Sequence, residues 1–393
     1  MRLHRCKVTK KSNSQPKINR FIWRVWQIAV SLRRMLHVGM RIFLFLSVFM
    51  LWNDVMTKVC ICGGGSLGHV CAGVLASRRD VQVNILTRQP ERWASTLEVR
   101  DPEGKVFAGN PHLVSSHAGQ ALDGCDIVFL CLPGFAIEET LRSIKPFVGR
   151  AVVGSIVSST GFFFVAHRVL GEDAPLFGFQ RTPFIARTEE YGRSANLLGY
   201  KSQLCMAMEN VRDAEGFRQL VERLWITPTR LLSSHYEVSL TNSNPILHTG
   251  RLYAMWKDWN GEVFDHNIPF YKEWTDEASQ TIIRMDEEFF RLLDVLPVRK
   301  GAIPSLLEYY ESHDATSLSH KIRSIAAFKS IPSPMKEVEG GWIPDFGSRY
   351  FAEDFPYGLY YIWMLAHQRG IYCPNIDKVY EWGMSKVAGK PIT

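Results

Sequence analysis

Several things are missing from this 393-residue chain, and each absence excludes a class. Its eight cysteines include no Cys-x-x-Cys pair, and no His/Cys cluster falls at metal-ligand spacing, so neither a structural zinc nor a disulfide framework is expected. Cys60 and Cys62 share one face of an apolar segment, and Cys125 and Cys131 flank another. They read as small core residues of a reducing, cytoplasmic compartment. Past residue 55 there is no internal repeat and no low-complexity stretch. No basic stripe marks a nucleic-acid surface. The formal charge of +7 misleads, because residues 1–53 hold eleven Lys/Arg and no acid. Removing those eleven from the 46 Lys and Arg leaves 35 basic against 39 acidic groups, a net of −4.

An apolar run of membrane-spanning length is also lacking. Ile42–Trp52 is eleven residues long and broken only by Ser47, where a spanning helix needs about 20. That is the length of a signal-peptide hydrophobic region. Upstream, Phe21–Leu36 has the pattern of a basic amphipathic helix, with Arg20, Arg24, Arg33 and Arg34 among its apolar residues. Three readings stay open for residues 1–55: an organelle-targeting presequence, a signal anchor, or an extension upstream of a start at Met56. A cleaved presequence or an upstream extension is preferred to a permanent anchor. The membrane is a partner only if this segment is retained.

What is present begins at Lys58. The run Lys58-Val-Cys-Ile-Cys-Gly-Gly-Gly-Ser-Leu-Gly-His69 reads as a strand, a glycine-rich turn and the start of a buried helix. Gly63, Gly65 and Gly68 have the G-x-G-x-x-G spacing of a dinucleotide site. In such a site the glycines make the tight turn, admit the pyrophosphate and let helix pack on strand. The turn, in which Ser66 and Leu67 are also expected at the cofactor, opens onto Val70–Ala76, which reads as a buried helix whose N-terminal N–H groups face the phosphates. A second strand, Val81–Leu86, follows at the right distance. At its end an NAD site usually carries an acid for the ribose 2′-hydroxyl; here the chain reads Thr87-Arg88-Gln89-Pro90-Glu91-Arg92. A hydroxyl followed by a guanidinium suits a 2′-phosphate, which favours NADP(H). NAD(H) is the alternative, with Glu91 in the acidic role.

The length calls for two domains. Strand and helix alternate through Asp126–Leu132, Ala136–Ile144, Ala151–Val157 and Lys201–Met208, the pattern of a doubly wound parallel sheet. Ligands bind at the carboxyl ends of such strands, so Leu132, Pro133 and Ser158 should border the cofactor. Glu98–Phe107 reads as a hairpin turning at Pro102–Gly104. From about residue 235 helical periodicity replaces the alternation, with candidates at Thr281–Leu296, Leu318–Ile331, Tyr357–Gln368 and Ile376–Val387. The expected architecture is an α/β Rossmann domain at 56–232 followed by an all-helical domain at 233–393, with the site in the cleft between them.

Two segments of the helical half are dense in polar groups. Thr241-Asn-Ser-Asn-Pro-Ile-Leu-His248 places Asn244 as a helix cap, Pro245 in the first turn and His248 one turn in. Ser348-Arg-Tyr-Phe-Ala-Glu-Asp-Phe-Pro-Tyr-Gly358 gathers Arg349, Glu353 and Asp354 among aromatics. Taken singly, these are a core histidine, a local ion pair and a helix cap. Together, Asn-Pro-x-x-His and Arg-Tyr-x-x-Glu-Asp-x-Pro-Tyr-Gly resemble the two signatures of the opine dehydrogenase family, the octopine and nopaline type, in the family's order. The resemblance extends from about Thr57 to the end. It implies condensation of an amino acid with a 2-oxo acid and reduction of the imine by hydride from a nicotinamide. It further implies His248 as general acid/base, Asp354 as its orienting partner, Arg349 as a carboxylate clamp and Asn244 as a substrate-positioning residue. The runner-up is an NADP-dependent 2-hydroxy or 2-oxo acid reductase of the same architecture. A non-catalytic NADP(H)-binding sensor is the reading from another class.

Overall fold

The computed structural model describes residues 56–387. The basic helix and the apolar run expected within residues 1–55 lie outside the described residues. Among the described residues no helix is long and apolar enough to cross a membrane.

The first strand, β1 (Thr57–Cys62), is apolar on both faces and lies in mid-sheet, flanked in parallel by β2 (Val81–Leu86) and β6 (Ile127–Leu130). Parallel pairing buries both faces, which is why Ile127-Val-Phe-Leu130 carries no polar residue. Outward from these stand β5 (Leu113–Ser115) beside β2, and β7 (Val152–Ser155) then β8 (Leu176–Phe179) beyond β6, all parallel. The last two strands depart from the all-parallel expectation. β11 (Leu204–Glu209) runs antiparallel to β8, and β12 (Thr229–Leu231) follows its direction. The cause is the connection: parallel neighbours need a crossover, usually a helix, and none lies between β8 and β11. A hairpin stands there instead, formed by β9 (Phe184–Glu190) and β10 (Ser194–Tyr200). The order is β12-β11-β8-β7-β6-β1-β2-β5.

That second hairpin joins the one anticipated at 98–107, seen as β3 (Leu97–Arg100) and β4 (Val106–Gly109), in a separate four-stranded sheet. The sheet covers the helix Ser66–Ala76, with Leu97 and Val99 against Gly73. His69 fastens it from below: its Nδ1 meets the Gly65 carbonyl at 3.0 Å, its Nε2 accepts from the Gly192 N–H at 2.7 Å, and Trp93 stacks on its ring.

The second half has its own core, built on the helices Asn244–Trp256 and Asp276–Leu293. The latter starts five residues before the periodicity suggested, because the Thr275 hydroxyl accepts from the Ala278 N–H and caps it. Ile282, Met285, Phe289 and Leu292 turn inward as their spacing requires. This half is not purely helical. A hairpin of β13 (Met335–Val338) and β14 (Gly341–Pro344) is braced by Phe264, whose backbone exchanges two hydrogen bonds with Trp342. The seven described cysteines are free. Folding also brings together His367, Cys373 and Asp377, a set that sequence spacing hides, with His367 Nε2 2.8 Å from the Asp377 carboxylate.

Candidate active site

The glycine turn is shaped by close approaches. Gly63 holds φ +122°, and a side chain there would meet the Cys131 carbonyl at 2.6 Å. A methyl on Gly68 would run into the Gly63 carbonyl, so helix and strand lie closer than any other residue permits. Above Gly65, by contrast, there is open space where a Cβ would point. This is the cradle a pyrophosphate requires, beside the first N–H groups of the helix Ser66–Ala76, whose first turn holds no acidic residue to repel it. The residues present fit a dinucleotide.

Around the turn, the expected residues fall into distinct positions. Leu132 packs beside Gly63, and Pro133 precedes the helix Gly134–Ile144 at the carboxyl end of β6. Leu67 is half-buried at the edge of the sheet core. The Ser66 hydroxyl is committed elsewhere, bonded to the Thr188 backbone N–H at 3.0 Å and hydroxyl at 3.1 Å, so only its backbone faces the turn. Ser158 is fully buried, its Oγ lying beside Gly178. Thr87 is buried beside Gly64. Arg88 and Glu91 are exposed, and Arg92 lies over the Tyr191 ring at 4.3 Å.

The two polar segments of the second half meet where Gly358 admits the ring of Pro245. Gly358 lies against Pro245, 2.9 Å from where a Cβ would stand. A side chain there would force the segments apart. Asn244 is the first helical residue and Ser243 the cap position, which corrects the expected cap; the Asn244 N–H is held by the Asn242 side chain at 3.3 Å. In the other segment Phe355–Leu359 winds as a π-turn. Pro356 has no N–H to give to an α-helical ladder, which favours such a bulge. The Tyr357 ring rests on Gly134, just past the carboxyl end of β6. The second segment therefore touches the end of the sheet where ligands bind.

The turn aims Asp354 at His248. The carboxylate makes no helix-cap bond, and its Oδ2 is 2.8 Å from His248 Nδ1. A carboxylate only accepts, so Nδ1 carries a proton, and in the neutral ring Nε2 offers a lone pair. That lone pair faces the Tyr271 hydroxyl at 2.9 Å. Tyr271 was not legible in the sequence. It belongs to no motif and sits in the irregular stretch between two helices; aromatic density in Phe270-Tyr-Lys-Glu-Trp274 is its one signal. Burial pushes its phenol well above the usual range, with the charges of Tyr350, Tyr310 and Asp354 adding to the effect. It thus stays a donor. His248 is 9% exposed and lies against the ring of Tyr350. Arg349, one residue before Tyr350, projects outward and forms a two-pronged pair with Glu353 at 3.0 and 2.9 Å. That pair, chiefly its hydrogen bond, raises the guanidinium pKa further.

A glycine cradle at the carboxyl ends of a parallel sheet, with a His–Asp pair on a helical half packed against it, defines a nicotinamide-dependent dehydrogenase. Residues 231–387 match the model of the NAD/NADP octopine/nopaline dehydrogenase alpha-helical domain, and residues 59–158 match that of ketopantoate reductase PanE/ApbA. Over most of its length the chain is similar to the opine dehydrogenases, NAD-dependent enzymes that act on CH–NH donors. It is 28% identical to octopine dehydrogenase of Mizuhopecten yessoensis over 84% of this chain and 90% of that one. It is 29% identical to tauropine dehydrogenase of Arabella iricolor over 85% and 92%. A solved octopine dehydrogenase structure with NADH and L-arginine superposes with a TM-score of 0.76 at 27% identity, covering 86% of this chain and 91% of that one. Yersinopine dehydrogenase with NADP+ bound shares the fold at 13% identity and a TM-score of 0.65.

Proposed function

We propose that the cleft condenses the amino group of an amino acid with a 2-oxo acid and reduces the imine, with His248, Asp354 and Arg349 carrying the work on the substrates. The observation behind this reading is the His248–Asp354 pair at 2.8 Å, set on the segment that touches the carboxyl end of β6. The solved octopine dehydrogenases, which hold NADH with L-arginine or pyruvate, support the substrate classes. The bound nicotinamide supplies the hydride. His248 polarises the carbonyl of the oxo acid and gives one of the two protons with which its oxygen leaves as water, the other coming from the attacking amine. Asp354 balances the charge of the imidazolium. Arg349 takes a substrate carboxylate with its planar fork, sharing it with Glu353. Half-buried Asn244 positions substrate beside them.

NADPH oxidation with pyruvate, with and without a panel of amino acids, tests this. Oxidation that requires both partners is the expected result. Oxidation with the oxo acid alone would instead make the protein a 2-oxo acid reductase, and nucleotide binding without turnover a sensor. Arg349→Lys keeps the charge and loses the fork, so KM for the oxo acid should rise several-fold with a smaller effect on kcat. An unchanged KM for both substrates returns Arg349 to its ion pair with Glu353.

For the cofactor we favour NADP(H). Thr87 and Arg88 follow β2 directly, and exposed Arg88 is free to swing to a 2′-phosphate beside the glycine turn. Arg88→Ala should cost NADPH about 1.5 kcal/mol or more, tenfold in Kd, and leave NADH nearly untouched. Added salt should erode the preference in the wild type. Titration of nucleotide fluorescence reads both. Equal wild-type affinities would assign the ribose to Glu91 or another acid.

A further inference from the structure

Tyr271 is the polar group nearest the reacting end of His248 that the function above leaves unused. Its ring is fixed between Trp274, parallel at 5.9 Å, and Phe328, stacked at 4.4 Å. Its backbone is fixed by Arg251, which lies three residues after His248 on the same helix and is itself 2% exposed. The guanidinium donates to the Phe270 carbonyl at 3.3 Å, the Glu273 carbonyl at 2.7 Å and the Thr275 hydroxyl at 3.4 Å. Burial lowers its pKa to about 10, still charged near neutral pH. One rigid helix thus carries both the histidine and the clamp that presents the tyrosine to it.

Three facts constrain what the hydroxyl does. It cannot swing away without unstacking two rings and breaking the Arg251 contacts. An atom that approaches Nε2 from the side of its hydrogen bond meets the hydroxyl, which stands 2.9 Å from Nε2. And once the imidazole is protonated, Nε2 has no lone pair left for the hydroxyl, whose proton is then released to turn about the C–O bond.

We propose that Tyr271 is a catalytic residue: a second hydrogen-bond donor, alongside His248, to the carbonyl oxygen of the 2-oxo acid. The proposal rests on the reading of the site given above. In the resting protein the hydroxyl is parked on Nε2. With substrate bound, Nε2–H and the tyrosine O–H converge on one oxygen. Nε2 takes a proton from the amino acid's ammonium and passes it to the oxygen, its bonding pair staying on the imidazole; the oxygen leaves as water with a second proton that comes from the attacking nitrogen. Tyr271 gives a hydrogen bond and keeps its proton, as its buried phenol favours. The arrangement is that of a two-donor oxyanion site in a region closed to water.

Tyr271→Phe keeps the ring and its stack while removing the donor. The expected result is a kcat lowered by about tenfold to a hundredfold, an unchanged KM for the amino acid and a melting temperature close to wild type. Oxamate, an unreactive mimic of a 2-oxo acid, should bind the enzyme–nucleotide complex several-fold more weakly. The same substitution in a His248→Ala background should lower the residual rate again, because the donor acts on the substrate itself. Wild-type kcat in Tyr271→Phe overturns the proposal. So does a loss that vanishes in the His248→Ala background, which would leave Tyr271 merely steadying the imidazole. A wild-type protein that turns over no pairing of amino acid and oxo acid would sink the underlying function. Oxamate binding would still test the donor.

Discussion

His248→Ala is expected to lower turnover by about a hundredfold or more while leaving nucleotide affinity nearly unchanged. The separation follows from the layout. The proposed nucleotide site is the backbone between Gly63 and Gly68 and the helix after it, in the first half of the described residues. The imidazole instead stands in the helical half, between the Asp354 carboxylate and the Tyr271 hydroxyl. Truncation leaves both partners in place with nothing between them, at a stability cost of about 1–3 kcal/mol for the stranded polar groups. Activity should therefore fall much further than the folded fraction at assay temperature. Near-wild-type turnover in a folded His248→Ala protein would reduce His248 to a core histidine whose two nitrogens happen to be satisfied.

Asp354→Asn is the second large effect, with kcat expected to fall tenfold or more. Asparagine is isosteric but uncharged, so the imidazolium formed during proton transfer loses its counter-charge. If the amide NH2 faces Nδ1, the neutral ring must also carry its proton on Nε2. The structure separates this role from a helix-capping one. The Asp354 side chain caps nothing; the Leu359 N–H is taken by the Asp354 backbone carbonyl at 2.7 Å, a bond the substitution retains. The melting temperature should thus stay close to wild type while kcat drops. A large fall in melting temperature with unimpaired turnover of the remaining folded enzyme would mean that the carboxylate holds the π-turn rather than the histidine.

What could be read from sequence alone follows from how local each signal is. The glycine turn was legible because its requirements are met within a dozen residues: a strand, a positive φ at Gly63, a close approach at Gly68 and a helix. The buried strand Ile127–Leu130 declared itself by lacking polar residues. The helix Asp276–Leu293 did so by its period. The two signature segments named the family and brought His248, Asp354 and Arg349 forward as candidates. The pairing of His248 with Asp354 was expected through the resemblance alone, since the spacing of residues 106 positions apart does not give it, and the bland alternative of an Arg349–Glu353 ion pair is present in the fold as well.

Contacts made across the chain settled the rest. The reversal of β11 and β12 depends on the hairpin Phe184–Tyr200, whose strands alternate too weakly to announce themselves. Ser158, expected at the cofactor from its place after a strand, is buried because Gly178 on the neighbouring strand leaves room for its hydroxyl. Ser66 lost its hydroxyl to Thr188, 122 residues away. Tyr271 faces His248 in an irregular stretch whose backbone is held by a buried arginine on the helix that carries His248. Sequence determined the turn, the strands and the chemistry-bearing residue types, since backbone conformation and side-chain period are set by near neighbours. Tertiary structure alone decided which polar groups face one another, because a hydrogen bond of 2.8 Å is fixed by where two helices and a turn come to rest, and no single segment encodes that.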